Sequence, residues 1–129
     1  MIKGISFSLL SFILTVVGFS TASAHAVLIA SNPSANSTIF QLPNQITLTF
    51  GDPLLVFGKR AINSVQVLNS VGKRITSSVS IIKGGVLTNF FIVKNVTVGK
   101  FYVRFRVVAQ DGHVVTGDYT FSVRNKIKR

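Results

Sequence analysis

The chain has 129 residues, 47% of them apolar and 13% charged, and contains no cysteine. A disulfide framework and a thiolate metal site are therefore excluded, and the fold has to rest on its buried core. Fourteen Lys and Arg stand against three carboxylates, Asp52, Asp111 and Asp118, for a formal charge of +11, so chemistry that needs a carboxylate has three candidates. The cations are spread along the chain and cluster only in residues 124–129, which reads as a solvated, self-repelling surface rather than a nucleic-acid face.

Residues 1–24 have the build of a secretory signal. Lys3 supplies the positive start, residues 5–19 an apolar stretch of about fifteen residues, and Ala22-Ser23-Ala24 the small side chains of a cleavage site. The apolar stretch is shorter than the ~20 residues a spanning helix needs. The expectation is export with cleavage after Ala24, leaving residues 25–129 as one domain outside the cytoplasmic membrane. His25 then becomes the first residue, and its free α-amine and imidazole can close a chelate ring on one metal ion. An α-amine, with a reference pKa near 8, yields its proton readily to a strongly binding metal.

Residues 26–30 form a short apolar run stopped by Ser31-Asn32-Pro33, the pattern of a strand and a turn. Ile46, Leu48 and Phe50 alternate with threonines in a second strand that ends at Gly51-Asp52-Pro53. Residues 54–57 fit either a short strand or an irregular edge. Val65 and Val67 alternate with Ser64 and Gln66, and residues 75–82 and 86–93 flank Lys83-Gly84-Gly85 as a glycine hairpin.

The densest alternation lies in residues 100–123. Phe101, Val103, Phe105 and Val107 fall on one face of an extended chain, with Tyr102, Arg104 and Arg106 on the other. After Asp111-Gly112-His113 the alternation resumes at Tyr119, Phe121 and Val123, so a second strand returns beside the first. No segment has a sustained helical period, and turn signals recur every ~10 residues, which predicts an all-β sandwich of about seven to nine strands.

Both histidines, His25 and His113, fall at chain positions suited to metal binding. Asp111 and His113, two residues apart in an extended segment, point the same way across an uncrowded Gly112. Asp-Gly between apolar runs is equally an ordinary hairpin turn, which needs no metal. Taken together, a terminal amine, two imidazoles and one carboxylate make an N₃O set that in tetragonal geometry suits Cu(II), and to a lesser degree Ni(II). Zn(II) takes the same groups but prefers a tetrahedron. Cu(I) would prefer sulfur, yet there is no cysteine and Met1 is the one methionine. Oxidised copper is the expected ion.

His25, Leu28 with Ser31 and Pro33, the stretch Leu48-Thr49-Phe50-Gly51-Asp52-Pro53, the run from Phe105 through Asp111-Gly112-His113, and the run from Thr116 to Val123 resemble the CopC family of exported copper-resistance proteins across the whole mature chain. The resemblance implies a Greek-key β-sandwich (cupredoxin or Ig-like barrel) that binds Cu(II) through His25, Asp111 and His113 and passes it to, or buffers it for, a membrane copper transporter. Asp52 stands where the family usually has a Glu near the site, which implies a carboxylate that orients His25. Phe105 stands where Trp is usual, and the family's Met-rich Cu(I) loop has no counterpart. The resemblance implies a periplasmic, non-catalytic monomer that binds no nucleic acid. Two other readings compete with it: an oxidative copper enzyme built on an N-terminal histidine brace, and a basic sandwich that binds polyanions or surfaces with incidental histidines.

Overall fold

Eight strands form two four-stranded sheets in a computed structural model that describes residues 26–95 and 98–127. The expected signal segment and His25 lie outside the described residues. The first sheet has the order β1-β3-β6-β5, from β1 (Leu28–Asn32), β3 (Gln45–Phe50), β6 (Val86–Phe90) and β5 (Ile81–Lys83). The second has the order β2-β8-β7-β4, from β2 (Thr38–Ile39), β8 (Val114–Val123), β7 (Gly99–Val108) and β4 (Ser64–Leu68). The expected all-β sandwich is the observed fold. Among the described residues no helix is long and apolar enough to cross a membrane.

The alternation seen in the sequence decides which side chains are buried. Ile46, Leu48 and Phe50 of β3 and Leu87 of β6 face Val65, Val67, Phe101, Val103, Phe105, Val107 and Phe121 from the other sheet, all of them buried. Each such side chain, taken fully out of water, contributes roughly 1.5–3 kcal/mol. The Phe50 and Phe105 rings meet edge to face across the two sheets at 5.5 Å, and the paired Phe101 and Phe121 stack at 5.3 Å within one sheet. Such ring pairs add to area burial.

Several boundaries differ from the sequence expectations. β1 begins two residues after Ala26 and runs on to Asn32, with a register shift between Leu28 and Ala30 against β3. The expected strand over residues 75–82 is reduced to β5, preceded by a single bridge from Thr76 to Phe91. Its serines explain the break: the buried amide of Asn89 donates to Ser77 O and Ser80 Oγ, as well as to Val65 O on the facing sheet, and draws this segment out of the ladder. β6 stops at Phe90, beyond which Phe91 N bonds Asn44 O. Residues 54–57 carry only isolated bridges, Leu54 to Ala109 and Phe57 to Arg60.

β8 starts five residues before Tyr119, because Gly117 keeps the inward face continuous. Gly117 pairs with Phe105, and a β-carbon there would lie 2.7 Å from Phe105 Cε1, so the phenyl ring fills the space that the glycine leaves.

Candidate metal centre

β7 and β8 pair down to Val108 and Val114, leaving residues 109–113 as the connecting loop. Ala109 N donates to His113 O and Gly112 N to Ala109 O, both at 2.9 Å, which closes the loop tightly. Gly112 has φ +88°, a conformation that side-chain-bearing residues rarely adopt.

Within this loop Asp111 holds His113 by two contacts. His113 N donates to Asp111 Oδ1 at 3.0 Å, and His113 Nδ1 lies 2.8 Å from Asp111 Oδ2. The imidazole is 67% exposed and the carboxylate 31%. A ring nitrogen held by a carboxylate fixes both the tautomer and the ring plane, the arrangement that orients metal-binding histidines, which then coordinate through Nε2. An ion on Nε2 lies on the far edge of the ring from Nδ1, so Asp111 can join the same coordination sphere only by exchanging its Oδ2 contact with His113 for the metal.

The loop is anchored from beneath by the segment that follows β3. Leu55 N donates to Val108 O at 2.8 Å, and the Gln110 side-chain amide to Leu54 O at 3.0 Å. Asn63, buried, joins both sides: its Nδ2 donates to Leu55 O at 2.7 Å while its Oδ1 accepts from Val108 N at 2.8 Å. Neither role is evident from the sequence: Asn63 stands in no recognisable pattern, and Gln110, though within the run from Phe105 to His113, carries no mark of its bond to Leu54.

The start of the described chain reaches the same segment from its other side. Gly51 N donates to Val27 O at 2.9 Å, and Leu28 pairs with Phe50. The tip of the β5–β6 hairpin supports the bend: Phe50 N donates to Gly85 O at 2.8 Å and Leu54 N to Gly84 O at 3.0 Å. Val27 and the 109–113 loop are thus bonded to the two ends of one short stretch, residues 51–55.

Of the four expected site residues, the structure brings Asp111 and His113 together. Asp52 lies exposed on the bend between Val27 and that loop. Among the described residues no three His, Asp or Glu side chains gather as a metal cage, so Asp52 does not join the pair in a three-ligand cluster. His25 lies outside the described residues. The pair therefore offers one oriented imidazole and one carboxylate at an exposed loop, with further donors to come from elsewhere.

Comparison with known proteins gives consistent results. The model of the CopC domain family matches residues 28–124. Over 105 residues the chain is 28% identical to the copper transport protein CutJ of Bacillus subtilis (strain 168), covering 80% of this chain and spanning 19% of that relative's length. Among solved structures it resembles CopC from Methylosinus trichosporium OB3b, with a TM-score of 0.67, 29% identity, and coverage of 81% of this chain and 99% of that one. It also resembles PcoC, a methionine-rich copper resistance protein from Escherichia coli, with a TM-score of 0.64, 23% identity, and coverage of 78% and 100%; at that identity the likeness concerns the fold alone.

Proposed function

The chain belongs to the CopC domain family, and from that premise we propose that it handles copper outside the cytoplasmic membrane, binding one Cu(II) ion as a carrier or buffer rather than as an enzyme. The ligands are the amine and imidazole of His25, exposed as the first residue by removal of residues 1–24, with His113 and Asp111. The copper is cargo, passed to or held for a membrane transporter.

The observation that carries this reading is the Asp111–His113 pair, bonded at 2.8 Å on an exposed loop. Chain geometry supports the rest. Position 25 is two peptide links from Val27, a tether of about 7 Å, and Val27 O is bonded to the segment whose other end holds the 109–113 loop. An amine, imidazole and carboxylate set favours Cu(II), and the single methionine, Met1, falls within the removed segment, which leaves no sulfur for Cu(I). In this respect the chain differs from the methionine-rich PcoC. In this reading Asp52, exposed on the bend after β3, is the carboxylate that orients the terminal histidine.

The test is mass spectrometry of the exported protein to locate its first residue, then Cu(II) titration of that sample. One equivalent bound by a chain starting at His25 is expected. A different first residue with undiminished binding would remove the terminal amine from the ligand set.

A further inference from the structure

The outer face of the second sheet carries a groove of about 330 Å³ lined by three arginines, Arg74, Arg104 and Arg106, together with Ser64, Gln66 and Ser78. Arg104 and Arg106 stand two residues apart on β7 opposite Gln66 and Ser64 of β4, while Arg74 reaches in from the segment that continues past β4. Two of the three are held in place: Arg106 Nη1 donates to Ile62 O at 2.9 Å, and Arg74 Nη2 donates to Ser77 O. Arg74 Nε is buried without a hydrogen-bond partner. Asp118 lies opposite Arg104 in the β7–β8 register, yet among the described residues the single ion pair joins His113 to Asp111. No carboxylate lines the groove itself; Asp118 stands at its margin, across the strand pair from Arg104.

We propose that this groove is a docking site for an extended, carboxylate-rich segment of a partner protein. Fixed guanidinium forks bind carboxylates in a bidentate manner, and less freedom is lost where the fork is already tethered. Arg104 and Arg106 project from the same face at the two-residue repeat of a strand, roughly 6.4–6.8 Å, which is also the repeat of alternate side chains in an extended peptide. The other occupants fit less well. A second copy of this chain brings three carboxylates in all, one of them engaged by His113. A bilayer is flat and the groove is concave. Single-stranded nucleic acid wants a series of stacking aromatics, and the outer faces of β7 and β8 offer Tyr102 alone. On the copper reading above, the groove lies on the strand that leads into the metal loop, so a docked partner would sit beside the cargo.

The test uses metal-free protein, so its outcome is independent of the copper assignment. A fluorescein-labelled peptide alternating Glu and Ser is titrated by anisotropy beside its Gln-for-Glu analogue, with amide chemical shifts mapping the contact. The expected result is saturable binding of the Glu peptide, shifts at Gln66, Arg104 and Arg106, none with the Gln peptide, and at least a tenfold loss in R104Q/R106Q. The control K83Q/K126Q, which removes the same charge elsewhere, should keep most of the affinity, and R104K/R106K, which keeps charge without the fork, should fall between. Equal losses in the groove and control variants, or R104K/R106K binding as tightly as the unaltered protein, would overturn the proposal. So would tighter engagement of the same residues by an oligonucleotide or by phosphatidylglycerol vesicles.

Discussion

Asp111 grips His113 at two points, backbone nitrogen to Oδ1 at 3.0 Å and imidazole Nδ1 to Oδ2 at 2.8 Å. The carboxylate thereby sets where the loop turns and how the ring faces. Replacement of Asp111 by Asn keeps the turn acceptor but loses the negative charge beside Nδ1. On the proposed assignment Cu(II) affinity should fall on the order of 10–100-fold, and His113→Ala should weaken binding further. Competition titration against a chelator of known affinity measures both, and equal affinity in Asp111→Asn would mean that the carboxylate serves the turn alone.

Asn63 should matter to the site without touching it. Its removal in Asn63→Ala leaves Val108 N buried and Leu55 O partly buried without their partner, a loss of about 2–4 kcal/mol for the two groups together. Thermal unfolding should drop accordingly, by ~4–8 °C per kcal/mol in a domain of this size. A variant whose melting temperature falls by less than about 4 °C, which corresponds to under ~1 kcal/mol in a domain of this size, would mean that the loop is held by other bonds.

Gly117 and Phe105 form a matched pair. Gly117→Ala drives a methyl group into the Phe105 ring, whose movement the edge-to-face contact with Phe50 opposes. The expected cost is roughly 1–3 kcal/mol. The double variant Gly117→Ala with Phe105→Leu should recover part of what Gly117→Ala alone loses, since the smaller side chain clears the methyl. Strictly additive losses in a denaturation cycle would contradict the pairing.

Tyr119 gives the fold an alkaline limit. Its hydroxyl donates to Pro33 O at 2.8 Å, and burial raises its pKa above the ordinary 10.0, with a hydrogen bond to Ser31 opposing the rise. Because the folded pKa lies above the unfolded one, this contribution to stability is complete below about pH 10 and is lost as pH climbs through the folded value. Denaturant midpoints should therefore decline above pH 10, and less steeply in Tyr119→Phe. The same slope in both proteins would assign the decline to other groups.

The sandwich was legible because a half-buried strand writes its orientation into every second residue, as residues 101–107 do. The limits of the strands were less so. Gly117 interrupts the apolar alternation of β8 in the sequence, while the strand pairs with β7 straight through it and the Phe105 ring fills the space at the glycine. Ile75 and Ile82 suggested one long strand, but Asn89 was silent in the sequence and its amide draws the intervening serines away. The candidate site shows the same division. Asp111 and His113 could be named from a two-residue spacing, a local relation. That Val27 and the 109–113 loop converge on residues 51–55 depends on long-range bonds among backbone groups, which leave no mark on residue identity. Nor does any motif mark Asn63 as the link between that segment and β7.

The most direct measurement of the central claim is Cu(II) affinity of two preparations, one starting at His25 and one carrying a single extra residue ahead of it. The extension takes the α-amine out of chelating position and leaves Asp111 and His113 untouched. If the terminus and the hairpin loop share one ion, the native-start protein should bind one Cu(II) per chain and the extended one should bind markedly more weakly. Equal affinity in the two preparations would contradict the account.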